Sequence, residues 1–60
     1  MQYTIRSLSS SEELDSLAAD VVARAYRAAW RARHGGEPVG QHVLEGLDLV
    51  IEFEEQVTVH

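Results

Sequence analysis

The stretch Ser9–Gly36, SSSEELDSLAADVVARAYRAAWRARHGG, carries the strongest structural signal in this chain of 60 residues. Ser10 and Glu13 have the spacing of a capping box, in which a hydroxyl and a carboxylate satisfy free N–H groups of the first helical turn. The same spacing occurs one residue earlier, so the start is defined to within one residue. We predict one long helix at about residues 11–34.

Charged residues and a glycine mark the ends of this helix. Acidic side chains cluster near its start, where the helix dipole is positive, and Arg31, Arg33 and His34 lie near its end, where the dipole is negative. Gly35 suits the left-handed residue that follows a helix, because it has no Cβ to clash. The sequence therefore predicts that the helix ends just before Gly35.

One face of the predicted helix is apolar along its length, at about 100° per residue. Its members are Leu14, Leu17, Ala18, Val21, Val22, Ala25, Ala28, Ala29 and Ala32. We expect this face to be the core face, packed against a second helix or a sheet. Its C-terminal half is nearly all alanine and buries little area, at about 25 cal/mol per Å² of apolar surface.

Three arginines lie on the opposite side of the helix. Arg24, Arg27 and Arg31 follow one another at helical spacing, and Asp20 precedes the first by one turn. A solvated face with an Asp20–Arg24 pair, worth a few tenths of a kcal/mol, is the favoured interpretation. The alternative is a stripe that binds phosphate or carboxylate groups, since guanidinium groups bind both in a bidentate manner.

Two aromatic residues, Tyr26 and Trp30, lie one turn apart on the flank between these faces. Tyr and Trp are amphipathic and are enriched in protein interfaces. We expect this pair to contact another copy of the chain or another protein, with packing inside the chain as the alternative.

Length and composition limit how the chain can be stabilised. A chain this short buries only about 60% of the surface that its unfolded form exposes. Cysteine is absent, so there is no disulfide, thiolate nucleophile or Cys-type zinc site. Oligomerisation, or docking into a larger assembly, is the expected source of further stability.

The formal net charge of −5 disfavours loose binding to nucleic acid or to an anionic membrane. No apolar run approaches the roughly 20 residues of a membrane span, and the N-terminus lacks the layout of a signal peptide. We therefore expect a cytoplasmic protein without membrane contact.

The segments on either side of the long helix complete the expected fold. Residues 2–8 alternate polar and apolar side chains and are predicted to form a strand. Residues 38–53 have helical apolar spacing and Pro38 at the first helical position, which favour a second helix. The alternation from Leu47 to Phe53, after a break at Gly46, favours a strand instead; we choose the helix.

The expected fold class is mainly α with a short N-terminal strand, that is, a β-α-α helical hairpin that forms an oligomer. One small domain, residues 1–60, contains all of it, with a short β-like tail at 56–60. The alternative is α+β: a β-α-β-β arrangement with one long helix on a small sheet and strands at 47–53 and 57–60.

The sequence contains no recognisable catalytic motif. His34, His42 and His60 share no predicted element, and neighbouring Glu54 and Glu55 point apart on either type of element. Catalysis requires convergent groups in a pocket that excludes water, which a chain of this size rarely builds alone. We predict no catalytic residue, cofactor or metal.

The favoured function is therefore a small, acidic, non-catalytic protein-interaction or oligomerisation module, or an accessory subunit of a larger assembly. The expected partner is a second copy of the chain, with a larger protein as the alternative. The candidate interaction residues are Tyr26, Trp30, Arg24, Arg27 and Arg31.

A second function follows from a resemblance. Gln2, Thr4 and Arg6 lie on one face of the predicted strand, and two helices are expected to follow. This order resembles the ribbon-helix-helix family. The resemblance implies a dimeric DNA-binding regulator, in which paired strands place Gln2, Thr4 and Arg6 in the major groove. Nucleic acid is thus the less favoured partner.

Overall fold

The structure, a computed structural model, describes residues 3–54. It contains the strand β1 (Tyr3–Ser7), the helix α1 (Leu17–His34) and the strands β2 (Gly40–Leu44) and β3 (Leu49–Phe53). The strands form one antiparallel sheet in the order β1-β3-β2, and α1 packs on one face of it. The fold is α+β.

The prediction of a mainly α fold with a helical hairpin is therefore wrong. Residues 40–53 form a β-hairpin where the second helix was expected, and the alternative β-α-β-β arrangement is the one that fits. That alternative placed its last two strands at 47–53 and 57–60. The strand at 49–53 is present, whereas 57–60 lies outside the described residues.

The central strand, β3, explains why the hairpin forms instead of a helix. Leu49, Ile51 and Phe53 are buried, whereas Val50 and Glu52 lie on the other face. β3 pairs with β1 on one side and with β2 on the other, so both of its backbone edges are satisfied. β-Branched and aromatic residues suit a central strand better than a helix.

A tight connection joins β2 to β3. It consists of a 3-10 turn, Glu45–Leu47, followed by Asp48 in the left-handed region at φ 55°. Asp is one of the few residues that adopt this conformation readily. The hydroxyls of Ser7 and Ser9 donate to the Asp48 carboxylate at 3.1 and 2.7 Å, which ties this turn to the end of β1.

The helix starts later than predicted, at Leu17. Ser16 is its N-cap, and the Ser16 hydroxyl accepts a hydrogen bond from the backbone N–H of Ala19 at 3.1 Å. The predicted capping box of Ser10 and Glu13 is not used, because both residues precede the helix.

The segment before α1 covers the outer edge of β1 instead. The Ser7 N–H donates to the Glu12 carbonyl and the Leu14 N–H donates to the Ile5 carbonyl, both at 2.8 Å. An edge strand presents unpaired backbone groups that need partners. Residues 12–14 supply those partners in extended form, so they are not available for a first helical turn.

The helix ends where the sequence predicts. Gly35 is left-handed at φ 72°, and its N–H donates to the Arg31 carbonyl at 2.9 Å.

Within residues 3–54, no helix is both long enough and apolar enough to cross a membrane.

The core lies between α1 and the sheet and is small. Among residues 3–54 its six buried hydrophobic residues, two of them alanines, are Ile5, Ala19, Ala23, Leu49, Ile51 and Phe53, and Pro38 is buried as well. Tyr3, Leu14, Val22, Tyr26 and Leu44 pack around them and remain partly exposed. A core of this size provides little hydrophobic stabilisation, as expected for so short a chain.

The predicted core face of the helix is mostly not the one that packs. Leu17 is 81% exposed and Val21 is 56% exposed, and the alanines expected in the C-terminal half of the core face are also exposed. The helix contacts the sheet through a different face, on which Ala19 and Ala23 are buried. Of the predicted core face, Val22 packs against the core, and so does Leu14, which lies before the helix starts.

Candidate interaction surfaces

A hydrogen-bonded aromatic cluster joins α1 to β2. The Tyr26 hydroxyl lies 2.7 Å from Nδ1 of His42, and His42 Nε2 lies 3.0 Å from the Val39 carbonyl. Because a carbonyl only accepts, Nε2 carries a proton, and in the neutral ring Nδ1 accepts from Tyr26. The Tyr26 ring also stacks on Phe53 at 6.2 Å between centroids. His42 thus serves as a bridge within the fold.

Trp30 lies at the border of this cluster and is half-buried. Its ring meets His42 edge-on at a centroid distance of 4.6 Å and lies 4.0 Å from the ring of His34. A shallow cavity of about 230 Å³ is lined by Tyr26, Trp30, His34 and Arg33, among others. The predicted aromatic pair therefore packs largely on its own sheet, and its role as an interface anchor stays a prediction.

The three arginines of the predicted stripe are all engaged within the chain. Arg24 pairs with Asp20 at 3.0 Å, as predicted. Arg27 and Arg31 converge on Glu37, at 2.8 and 3.1 Å from their Nε atoms. A phosphate group would have to compete with these carboxylates for the guanidinium groups.

Glu37 is the residue that the sequence interpretation missed at this site. Arg27 donates to both of its carboxylate oxygens, at 2.8 and 3.0 Å. This hydrogen bonding, with a smaller contribution from the positive charge of Arg31, lowers the pKa of Glu37. The same pair raises the pKa of Arg27. The sequence did contain a signal for this pairing. Glu37 comes just after the Gly-Gly turn, where its carboxylate can reach the last turns of a basic helix.

A second polar link joins β1 to the start of α1. The Tyr3 hydroxyl donates a hydrogen bond to the Asp20 carboxylate. This bond to a carboxylate raises the pKa of Tyr3, and partial burial adds to the effect. A cleft of about 400 Å³ opens beside this link and is lined by the acidic residues Glu13, Asp15 and Glu54. The sequence does not predict this contact, because its partners are 17 positions apart.

The side of α1 turned away from the sheet is apolar and open. We call it the outward face, formed by Leu17, Val21, Ala25, Ala28 and Ala32, all of which are exposed. Among residues 3–54, no other segment covers it. Large exposed apolar residues in a continuous stripe are a feature of interaction surfaces.

Two of the three residues proposed to read DNA, Thr4 and Arg6, lie on the face of the sheet opposite α1. Arg6 is exposed and paired in register with Val50, and Thr4 is paired with Glu52. Gln2 lies outside the described residues. The negative charge of Glu52 next to Thr4 would oppose a phosphate backbone on this face.

The two edges of the sheet differ. β1 pairs with β3 of its own chain and receives backbone bonds from residues 12–14 on its outer edge. The pairing of β1 between two copies, which the ribbon-helix-helix resemblance implies, is therefore not available in this fold. The DNA-binding function itself stays a prediction. Among residues 3–54, nothing pairs with the outer edge of β2.

Comparisons with known proteins add no assignment. No protein-family model matches the chain, and no curated protein or solved structure is significantly similar to it. Within the described part of the chain, no three His, Asp or Glu side chains are grouped so that they could hold a metal ion.

Proposed function

We propose that this chain is a small non-catalytic protein-interaction module that self-associates through the outward face of α1. The observation that supports this function is the exposure of that face: Leu17 is 81% exposed and Val21 is 56% exposed. Six large hydrophobic residues among residues 3–54 are exposed, and these two lie on one stripe of the helix, where a partner can cover them.

The energetics favour covering this face. Full burial of a Val or Leu side chain is worth about 1.5–3 kcal/mol. In a dimer each copy contributes both residues, and this gain is set against an association cost of about 4–15 kcal/mol. The expected association is therefore reversible and depends on protein concentration. It would add stability to a chain whose core, among residues 3–54, contains six buried hydrophobic residues.

The main partner is a second copy of the chain; a larger protein, with this chain as its accessory subunit, is the other partner class. We predict the cytoplasm as its compartment, with which the absence of cysteine is compatible.

The test compares two valines that are about equally exposed. Val21 on the outward face of α1 is 56% exposed, and Val43, on the face of the sheet turned away from α1, is 52% exposed. We expect the wild-type chain to show a mass that rises with concentration in sedimentation velocity. Val21→Gln should remain monomeric at the same concentrations, and Val43→Gln should behave as the wild type does.

Two results would contradict the proposal. One is a wild-type chain that stays monomeric up to submillimolar concentration. The other is an equal loss of association in both variants, which would show that general surface polarity matters and the outward face does not. Circular dichroism of each variant confirms that α1 is intact.

A further inference from the structure

We infer that the partner on the outward face is a second copy whose α1 runs antiparallel, with Ala25 next to the two-fold axis. This inference rests on the proposed function and adds the geometry of the contact. Three features of the molecule support it: the order of large and small side chains, the distribution of charge along α1 and the position of the sheet.

Side-chain size changes along the outward face. Its N-terminal half carries the large residues Leu17 and Val21, and its C-terminal half carries Ala28 and Ala32. In an antiparallel pair whose axis passes between Arg24 and Ala25, each large residue meets an alanine of the other copy: Leu17 meets Ala32, and Val21 meets Ala28. The distance between the two helix axes then stays the same along their length.

A parallel pair would not pack in this way. Leu17 would meet Leu17 of the second copy, and Ala32 would meet Ala32. The helices would be pushed apart at one end and leave a gap at the other, which forfeits dispersion contacts. Packed helices prefer an interaxial distance of about 8–10 Å, at the lower end where the contact residues are small.

Charge favours the same direction. The start of α1 contains Asp20, and its last turn contains Arg31, Arg33 and His34. Antiparallel pairing brings Asp20 towards Arg31 of the second copy, which also pairs with its own Glu37 at 3.1 Å, and points the two helix dipoles in opposite directions. Arg24 lies near its own equivalent at the axis, but Asp20 at 3.0 Å balances that charge.

The fold leaves room for this contact. The outward face lies opposite the face that carries Ala19 and Ala23 to the sheet, so a second helix meets no strand. An 18-residue helix is about 27 Å long, and a stripe about 10 Å wide gives about 270 Å² per copy. Because stable interfaces bury about 800 Å² per partner, we expect a dissociation constant in the micromolar range or weaker.

The absence of cysteine makes a direct test possible, because single-cysteine variants have no competing thiol. A disulfide requires Cα atoms within about 7 Å. The Ala25→Cys variant should form a disulfide-linked dimer under mild oxidation. The Ala32→Cys variant should not, because antiparallel pairing places its two Cα atoms about 22 Å apart. A mixture of Leu17→Cys and Ala32→Cys should form the mixed dimer.

The outcomes separate this inference from the proposed function. Cross-linking of Ala25→Cys and of the Leu17–Ala32 mixture, without cross-linking of Ala32→Cys alone, supports the antiparallel pair. Efficient cross-linking of Ala32→Cys alone overturns it in favour of a parallel pair. If the wild type dimerises and neither alanine variant cross-links, the antiparallel register is wrong; Val21→Gln then shows whether the outward face forms the contact, and a dimer that survives this change refutes the proposed function as well. A monomeric wild type refutes the proposed function itself.

Discussion

The two faces of α1 are similarly rich in alanine, yet only one of them packs on the sheet and forms part of the core. The face that packs on the sheet, here the inward face, consists of Ala19, Val22, Ala23, Tyr26 and Trp30. The outward face carries Leu17 and Val21 at its start and alanines beyond. The difference shows that side-chain shape, and not hydrophobicity alone, selects the packing face.

The inward face fits the sheet in two ways. Ala19 and Ala23 are small, so the helix backbone approaches the sheet closely, and Ala23 is fully buried. Further along, the sheet offers His42 and Phe53, and the ring of Tyr26 reaches both of them. Aromatic pairs of this kind add about 0.5–1.5 kcal/mol beyond the area that they bury.

The largest effect is expected from enlarging an alanine on one face and not on the other. Ala23→Leu inserts three carbon atoms where the exposed fraction is zero, and overpacking of this kind typically costs about 1–3 kcal/mol. Ala25→Leu, the matched control on the outward face, should change the free energy of unfolding by less than about 0.5 kcal/mol. Urea unfolding at low protein concentration, where the chain is monomeric, measures both values. Equal destabilisation would mean that the two faces are assigned wrongly.

A smaller effect is expected from removing the hydroxyl that links the inward face to β2. Tyr26→Phe leaves Nδ1 of His42 without its donor and should cost about 0.5–1.5 kcal/mol. It should also change the tautomer balance of His42, because the variant lacks the hydroxyl that donates to Nδ1 and thereby favours the tautomer with its proton on Nε2.

The ring-nitrogen chemical shifts of His42 report this change. Tyr3→Phe is the control, because it removes the other described tyrosine hydroxyl, which bonds to Asp20 instead. If the His42 shifts are the same in the Tyr26→Phe variant and the wild type, the hydrogen bond does not position this ring.

The smallest effect concerns the ion pairs at the border between the two faces. The pKa of Glu37 is lowered by Arg27 and Arg31 in the folded state, relative to about 4.3 in an unfolded chain. Its contribution to stability is therefore fully present above pH of about 4.3 and is lost as the pH falls through the lowered folded-state pKa. Glu37→Gln should flatten the acid side of the stability profile.

Thermal unfolding at a series of acidic pH values checks this expectation. Glu45→Gln is the control, since Glu45 is exposed and makes no ion pair within residues 3–54. The effect at Glu37 should be small, because exposed pairs are screened by solvent and salt. If the Glu37→Gln variant and the wild type have the same dependence of stability on acidic pH, the ion pairs of Glu37 do not contribute to stability.

Several local features could be predicted from the sequence because their partners are near in the chain. Gly35 ends α1 through a bond to Arg31, four residues away, and Asp20 pairs with Arg24 at the same spacing. The strand at Tyr3–Ser7 follows from alternation over a few residues. In each case the interacting residues lie within one or two helical turns or within one strand.

The features that were predicted wrongly depend on distant partners. Residues 12–14 have the sequence of a helix start. In the fold, however, their backbone groups form hydrogen bonds with the outer edge of β1. Residues 38–53 combine helical spacing with strand alternation, so the sequence favours neither conclusively. The link from Arg27 to Glu37, ten residues apart, needs the Gly-Gly turn to bring the two side chains together.

The sequence by itself determined that this chain has one long helix, where that helix ends, that an N-terminal strand precedes it and that its composition allows only a small core. Only the tertiary structure decided that residues 40–53 form a hairpin, that α1 begins after Ser16 and which of its faces is buried. The reason is that helix caps and short strands are determined by local hydrogen bonding and steric effects, whereas edge pairing and the choice of a packing face depend on what the rest of the chain places alongside.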